Sequence, residues 1–212
     1  MDLASKTKDE AMKLYGSNLS PYTRRCTLAL TLAGKDFTLE SKMTGPDEAE
    51  IRQFNPLGRL PFLLIDAQQI LIDSATILRW LDQQTDQFRP ADPALDLFCE
   101  ETIALALGVC EKAMSSFYER TRRPKEFCYQ GWIDRCAWQV KEGLEALNTR
   151  FADIDPYLFG PTPSHGDLIT YVAAQFVTKT NPSLNERGTY LALDDLEERL
   201  EALHPIFAET HP

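Results

Sequence analysis

Short apolar runs alternate with helical patterns through the first half of the chain. An apolar run predicts a strand around residues 13–15, and a 3.6-residue period predicts a helix over residues 21–33. A second strand is predicted around residues 37–41, and a short helix over residues 47–54. Strand, helix and strand in this order form a βαβ unit.

Two further apolar runs follow at residues 62–65 and 70–72, with a polar turn at residues 66–69 between them. Their closeness in the chain predicts a hairpin. From Ser74 onward the apolar positions restart a helical period. The predicted order of elements in this half is therefore βαβαββα.

A change in composition at residues 88–93, where two prolines flank Ala91 and Asp92, predicts a linker. Every pattern after it is helical, with long helices predicted over residues 94–121 and 126–151. We therefore predict an α+β protein with an N-terminal domain at residues 12–88 and an all-helical domain at residues 94–212.

A third helix start in the second half is marked by Ser164 followed three residues later by Asp167. This spacing is a capping box, in which the acidic side chain reaches back to the backbone N–H of the cap residue. We expect Asp167 to matter for folding rather than for turnover.

The bulk composition excludes several classes of function. The chain has 212 residues, 43% of them hydrophobic, which is enough for a sizeable core. Its formal net charge of -10 argues against general attraction to nucleic acid or to an anionic membrane. A basic cluster before and after Pro124 is interpreted as a solvated helix end and turn; it consists of Arg120, Arg122, Arg123 and Lys125.

The polar start of the chain, residues 1–11, lacks the apolar core of a secretory signal, and no apolar stretch is long enough to span a bilayer. We expect a cytoplasmic protein. The five cysteines form no Cys-x-x-Cys pair and are expected to be free, mostly buried thiols. The three histidines, His165, His204 and His211, show no metal-ligand spacing, so no metal site is predicted.

The most informative position for chemistry is Ser20, which precedes Pro21 at the start of the first helix. A serine there is an ordinary helix N-cap, with proline tolerated at the first helical position. The same position also suits a second role, because free N–H groups and the helix dipole favour a bound anion such as a thiolate. The hydroxyl of Ser20 could donate a hydrogen bond to it.

Pro61 stands at the start of a predicted strand, after a turn at residues 55–60. It could be a plain strand starter. If the Leu60–Pro61 bond is cis, however, the backbone of Leu60 is turned outward and can pair with an extended peptide.

Asp73 and Ser74 end the hairpin and open the next helix. Taken alone they form a good N-cap. They could also bind a ligand, because an α-carboxylate could meet the free amides and Ser74 while an ammonium meets Asp73.

Together these segments resemble the cytosolic glutathione S-transferases, and the resemblance extends over nearly all of residues 12–212. The closing residues 203–207 resemble bacterial members. The segments that carry the resemblance to this family are Ser20-Pro21-Tyr22, residues 55–63, Asp73-Ser74-Ala75-Thr76-Ile77-Leu78 and residues 164–167.

The resemblance implies a thioredoxin-like N-terminal domain, a helical C-terminal domain and a homodimer. It implies glutathione as co-substrate, with Ser20 stabilising the glutathione thiolate for attack on a hydrophobic electrophile. It also implies that the Leu60 backbone, before cis Pro61, pairs with the cysteinyl unit of glutathione. Asp73 and Ser74 would bind the γ-glutamyl end, and Arg59 would add a further contact. The electrophile would lie near Tyr22 and the helix that carries Met114, Phe117 and Tyr118.

Three alternatives stay open from the sequence. Tyr15 and Ser17 are rivals to Ser20, although only Ser20 occupies the helix start. A glutathione-dependent reductase or peroxidase would need a cysteine where Ser20 stands, because a hydroxyl cannot form a mixed disulfide. A non-catalytic binding or scaffold protein could keep the same fold.

Overall fold

A computed structural model describes residues 12–66 and 69–212. The polar start used above to argue against a signal sequence lies outside the described residues, as does the middle of the predicted turn at residues 66–69. Within the described ranges no helix combines the length and the apolarity needed to traverse a bilayer.

A four-stranded mixed sheet forms the N-terminal part of the fold. Strand β1 (Met12–Gly16) pairs in parallel with β2 (Phe37–Ser41), and helix α1 (Pro21–Leu32) connects them. Strand β3 (Phe62–Leu64) runs antiparallel to both β1 and β4 (Ile70–Ile72), which gives the strand order β2-β1-β3-β4. This arrangement confirms both the βαβ unit and the hairpin.

Helices α2 (Glu48–Phe54) and α3 (Ser74–Asp82) complete this part, so the predicted order βαβαββα is confirmed. Helix α1 ends at its C-cap Ala33, and the next residue, Gly34, has a φ of 65°. Glycine suits this left-handed position because a Cβ would be strained there.

The rest of the described chain is helical, which confirms the α+β class. A 3-10 turn at Pro93–Leu95 leads into the longest helix, and the boundary between residues 88 and 94 stays a prediction. The helices are α4 (Asp96–Thr121), α5 (Gln130–Arg150), α6 (His165–Thr180), α7 (Leu191–Leu203) and α8 (Ile206–Glu209).

Helix α5 begins four residues later than the predicted residue 126. Contacts between α4 and the segment before α5 explain the difference. The carboxylate of Glu119, on α4, accepts the N–H of Tyr129 at 2.9 Å, and the thiol of Cys128 lies 3.0 Å from the Glu119 carbonyl oxygen. These contacts hold both residues in extended backbone. The helix can start only after them.

Helix α6 is the centre of the helical part and packs against both α1 and α4. Almost all of its residues are buried. Its first turn has the predicted capping box: Ser164 accepts from the N–H of Gly166 and of Asp167, while the Asp167 carboxylate accepts the N–H of Ser164 at 2.8 Å.

Arg24, in α1, connects the sheet part to the helical part. It is 1% exposed, and its guanidinium donates to four acceptors beyond residue 170. The acceptors are Thr210 Oγ1 at 3.3 Å, Gln175 Oε1 at 2.6 Å, Tyr171 Oη at 3.0 Å and the Phe207 carbonyl oxygen at 3.0 Å.

We expect the variant Arg24→Lys to lose about 2 kcal/mol of unfolding free energy. Lysine keeps the charge, but its single ammonium nitrogen cannot reach all four acceptors as the planar guanidinium does. Urea denaturation of the variant and the parent measures the loss. A change below about 0.5 kcal/mol, the usual range for surface positions, would contradict the role of Arg24 as a link between the two parts.

Candidate functional site

The three segments singled out in the first half converge on one cavity of about 500 Å³, a volume within the usual range for ligand sites. Its walls come from α1, from the loop before β3, from the start of α3 and from one face of α4. The described residues that line it are Tyr22, Arg25, Asn55, Leu57, Arg59, Leu60, Pro61, Ile72, Asp73, Ser74, Ala75, Ala104, Leu107, Gly108 and Glu111.

Ser20 is the N-cap of α1, as predicted, with its Oγ accepting from the N–H of Thr23 at the long distance of 3.4 Å. It is partly exposed and is not itself among the lining residues, but it precedes Tyr22, which is, by two positions. The N–H of Tyr22 donates to no partner in the described part of the chain. The start of α1 therefore offers a free amide on a lining residue and, two positions before it, the hydroxyl of Ser20.

The Leu60–Pro61 peptide bond is cis, as the sequence suggested. Leu60 lies outside all helices and strands, and within the described ranges its backbone takes part in no turn, cap or side-chain hydrogen bond. Asn55, buried at the start of this loop, accepts from the N–H of Leu57 at 3.1 Å and donates to the carbonyl of Arg59 at 2.9 Å. This side chain fixes the loop with the Leu60 backbone open.

Asp73 is the N-cap of α3 and accepts the N–H of Thr76 at 2.9 Å. Its φ of 65° with ψ of 159° is a conformation that residues with a side chain rarely adopt. Strain of this kind concentrates at functional sites, because the surroundings must hold it in place. Here it brings the start of α3 to the cavity wall.

Ser74, the first residue of α3, is buried, and its Oγ accepts from Nη2 of Arg25 at 2.7 Å. The N–H groups of Ser74 and Ala75 make no hydrogen bond in the described ranges. Two free amides at a helix N-terminus form a site suited to a carboxylate.

Tyr22 and Arg59 also line the cavity, as predicted. Arg59 is exposed at its rim. Burial, with smaller contributions from Cys110 and Glu111, raises the pKa of Tyr22 to about 12. The phenol therefore stays protonated at neutral pH and can donate a hydrogen bond.

The electrophile site was predicted near the helix that carries Met114, Phe117 and Tyr118. That helix, α4, forms a wall of the cavity, but Tyr118 is not among the lining residues. The lining residues of α4 lie in earlier turns, from Ala104 to Glu111. Tyr118 lies seven residues, about 10 Å, beyond Glu111 along the helix axis. Its ring instead stacks with the guanidinium of Arg122 at 3.8 Å, at the end of α4 where the basic cluster was predicted.

The two rivals of Ser20 have other surroundings. Tyr15 lies in β1, where its ring stacks on Phe62 at a centroid distance of 4.5 Å. Ser17 accepts the N–H of Leu19 at 3.3 Å within the loop before α1. Neither residue lines the cavity, and neither is the cap of α1, which is the position of Ser20.

All five cysteines are free. Burial raises the pKa of Cys26 and of Cys110 to about 12, and that of Cys99 to about 11. Cys26, the cysteine closest in sequence to Ser20, is completely buried, as expected. Thiols in such surroundings are poor nucleophiles, because the thiolate is the reactive form.

The fold brings His211 to the carboxylates of Glu197 and Glu201, with one possible ligand atom from each residue lying within 4.8 Å of the others. No spacing in the sequence predicted this group. His211 Nε2 lies 2.6 Å from Oε1 of Glu201, and that oxygen also accepts from Tyr171 at 2.9 Å. These hydrogen bonds join His211 to α6 and α7.

Sequence reasoning missed two kinds of lining residue. Arg25 was not singled out because an arginine within a helix gives no sign of its partner. Ala104 and Gly108 were missed because small residues in a long helix are equally suited to helix packing. The space left beside Gly108, where a Cβ would meet nothing within 4 Å, exists only in the folded chain.

Comparison with known proteins shows which family the chain resembles. Residues 14–89 match the family model for the N-terminal domain of glutathione S-transferases. The uncharacterized GST-like protein YibF of Escherichia coli K12 is 29% identical over 113 residues, which span 52% of this chain and 56% of that protein. The maleylacetoacetate isomerase of Pseudomonas aeruginosa is 27% identical over 95% of this chain and 96% of that enzyme.

Solved structures extend the likeness to 95% of this chain. The crystal structure of a glutathione S-transferase from Methylobacterium radiotolerans, in complex with glutathione sulfonate, has a TM-score of 0.87 and 27% identity over 95% of both chains. A glutathione transferase family member from Pseudomonas fluorescens Pf-5, with bound glutathione, has a TM-score of 0.82 and 24% identity over 95% of this chain and 99% of that one. The predicted resemblance is confirmed.

Proposed function

Because residues 14–89 match the N-terminal domain of glutathione S-transferases and the fold is similar to a solved member over 95% of the chain, we propose that this protein binds glutathione in this cavity and adds its thiolate to a hydrophobic electrophile. The observation that carries the proposal is the set of unused polar groups around one space. They are the Leu60 backbone, the Ser74 and Ala75 amides and the Tyr22 amide.

Each of these groups matches one part of the tripeptide. The amides of Ser74 and Ala75 suit the α-carboxylate of the γ-glutamyl residue, and the Asp73 carboxylate suits its ammonium group. The open backbone of Leu60 suits the cysteinyl unit, by strand-like pairing. Arg59 at the rim suits the glycyl carboxylate.

Ser20 and the start of α1 would then act on the sulfur. A hydroxyl donor, a free amide and the helix dipole all favour the thiolate over the thiol, which lowers the thiol pKa. The thiolate forms a bond to the electrophilic carbon, and the leaving group departs with the electron pair of the bond that breaks. The protonated phenol of Tyr22 can donate to an oxygen of that second substrate.

The second substrate would lie against α4, beside Ala104, Leu107 and Gly108. We expect Gly108→Leu to raise the KM for the electrophile about tenfold, because the added side chain fills the open space there. The affinity for glutathione should stay unchanged. Initial rates at fixed glutathione measure this effect.

Gly108→Ala is the matched control. It adds one methyl group, and we expect it to stabilise α4 by about 0.5–1 kcal/mol with little effect on KM. An equal loss of glutathione affinity in Gly108→Leu would contradict the assignment of this wall to the second substrate.

Calorimetric titration of the protein with glutathione, followed by an assay with a chloronitroarene acceptor, tests the proposed function. We expect saturable binding and an increase in conjugation rate over the uncatalysed reaction. Binding without conjugation of any acceptor would favour the scaffold alternative, and absence of binding would reject the proposal. The reductase alternative is disfavoured by the serine at the helix start and by the buried cysteines.

Glutathione-dependent isomerisation is a second candidate, favoured by the similarity to the maleylacetoacetate isomerase over almost the full chain. Such a reaction would release glutathione unchanged at the end of each turnover. A maleyl-type substrate incubated with substoichiometric glutathione separates the two reactions, because only isomerisation would continue to completion.

The homodimer implied by the resemblance and the cytoplasmic location stay predictions. Light scattering on the purified protein checks the first, and cell fractionation checks the second.

A further inference from the structure

One acid, Glu111, lies on the wall that α4 contributes to the cavity. It follows Gly108 by three positions and Ala104 by seven, so the three residues share one face of the helix. The other lining residues of this face are small or apolar, and a Cβ at Gly108 would meet nothing within 4 Å. A carboxylate therefore stands one turn away from the open space that the proposed function gives to the electrophile.

The charge of Glu111 is only partly compensated by its neighbour Lys112. Oε1 of Glu111 lies 2.8 Å from Nζ of Lys112, but the Glu111 side chain is 63% exposed, and an ion pair in such surroundings is weak. Lys112 does not line the cavity, and its ammonium lies 5.8 Å from the ring of Trp132 in α5. Within the described ranges Oε2 of Glu111 has no partner. The charge that the cavity meets at this wall is therefore negative.

The phenol of Tyr22 lies within the electrostatic influence of this carboxylate. Tyr22 and Glu111 line the same space, from α1 and from α4. Burial raises the pKa of Tyr22 most, and Cys110 and Glu111 raise it further, whereas Arg59 and Arg25 lower it by smaller amounts. An anion at the phenol oxygen is thus disfavoured. A negative group on an electrophile bound beside Tyr22 would meet the same repulsion.

The other charges of the cavity are already used once glutathione is bound as proposed. The charged side chains among the described lining residues are Arg25, Arg59, Asp73 and Glu111. Arg25 is 5% exposed and donates to Ser74 at the start of α3, while Arg59 and Asp73 have partners on glutathione itself. The thiolate adds a further negative charge. No cation among the described lining residues is then left to meet a carboxylate on the second substrate.

We propose that Glu111 is a specificity-determining residue, which selects uncharged or cationic electrophiles and excludes those that carry a carboxylate beside α4. The inference rests on the proposed function and names the class of its second substrate. Glu111 acts by repelling charge and takes no part in bond formation at the sulfur. Maleyl-type substrates should be turned over poorly, because their carboxylates would meet this wall.

The test uses two acceptors of nearly the same shape, a chloronitrobenzamide and the chloronitrobenzoate with the same substitution pattern. In both, the glutathione thiolate forms a bond to the carbon that bears chlorine, and chloride leaves with the electron pair of the broken bond. Initial rates at saturating glutathione give kcat/KM for each acceptor. The measured quantity is the ratio of benzamide to benzoate, because the intrinsic reactivity of each acceptor is the same with every variant.

Three variants are compared with the parent. Glu111→Gln removes the charge at nearly unchanged shape, and Glu111→Lys reverses it. Glu100→Gln is the matched control, because it removes an exposed acid of the same helix outside the cavity. Glu100 lies about 16 Å from Glu111 along the helix axis, which is beyond the screening length at physiological salt.

We expect Glu111→Gln to lower the ratio about five- to tenfold by raising kcat/KM for the benzoate, the scale of one screened interaction between charges. Glu111→Lys should lower the ratio further, and Glu100→Gln should change it less than about twofold. Added salt should reduce the difference between the parent and Glu111→Gln, because it screens the repulsion. The substituted side chains are exposed, so the core is unaffected.

An unchanged ratio in Glu111→Gln would overturn the inference, because a merely structural role would affect both acceptors alike. An equal decrease in Glu100→Gln would overturn it as well, since the effect would then come from the general charge of the protein. If the parent protein conjugates neither acceptor, the proposed function is rejected and the inference falls with it.

Discussion

Replacing Ser20 by alanine is expected to lower kcat/KM for conjugation about 10- to 100-fold. The magnitude follows from the loss of one hydrogen bond to a charged sulfur, roughly 1.5–3 kcal/mol. The loss of the cap should be small, about 0.5 kcal/mol, because its bond to the N–H of Thr23 is long. The variant should therefore fold and still bind glutathione.

The pH profile gives this prediction a clear sign. The rate follows the fraction of bound glutathione present as thiolate, so it rises with pH through the pKa of the bound thiol. Removal of the Ser20 hydroxyl should move that apparent pKa upward, toward the value of a free thiol near 8.5. The ultraviolet absorbance of the thiolate, measured in the complex across pH, reports the same shift.

Three variants serve as controls for Ser20→Ala. Ser20→Thr keeps a hydroxyl and should keep most of the activity. Tyr15→Phe and Ser17→Ala remove the hydroxyls of the rival residues. We expect each to have less than about a threefold effect, since neither residue caps the helix whose first turn would stabilise the thiolate. If either rival variant shows the shift in pKa and Ser20→Ala does not, the assignment of Ser20 is wrong.

Replacing Asp167 by alanine is expected to lower the unfolding free energy by about 3 kcal/mol. The side chain is completely buried and accepts from the N–H of Leu158 at 2.9 Å, the N–H of Ser164 at 2.8 Å and the hydroxyl of Ser164 at 2.7 Å. The variant leaves these donors without an acceptor inside the core. In a chain of this length the loss corresponds to a decrease in Tm of roughly 6–12 °C.

Urea denaturation and thermal unfolding measure this effect, with Asp195→Ala as the control that removes an exposed acid from α7. The control should differ from the parent by less than about 0.5 kcal/mol. Below its unfolding temperature, Asp167→Ala should keep the parent's kcat. A loss of kcat at full stability would show that Asp167 acts in turnover rather than in folding.

Features that depend on a few neighbouring residues were predicted correctly. Ser20, Asp73 and Ser164 start helices in the structure as in the sequence, because a cap needs only a side-chain oxygen and the amides two or three positions later. The hairpin of β3 and β4 was predicted for a similar reason, since two apolar runs and a short polar turn specify it. The order of the elements in the first half was also predicted from local patterns of apolar positions.

Features that depend on contacts between elements were not specified by the local pattern. Helix α5 starts late because Glu119, ten residues earlier, binds the N–H of Tyr129. The second substrate was predicted to lie near the helix that carries Tyr118, and the cavity meets this helix in earlier turns, at Gly108 and Glu111. Gly108, Glu111 and Tyr118 lie on the same face of α4. Only the packing of the sheet part against α4 decides which turns of that face line the cavity.

The sequence by itself determined the order of the elements, the helix starts and the candidate site residues Ser20, Pro61, Asp73 and Ser74, because periodicity, capping and proline geometry act over a few residues. Only the tertiary structure decided that Arg25 donates to Ser74, 49 positions away in the chain, without a counter-charge beside the same cavity. The burial of a charge and the shape of a cavity depend on segments far apart in the chain, and no local pattern encodes where those segments meet.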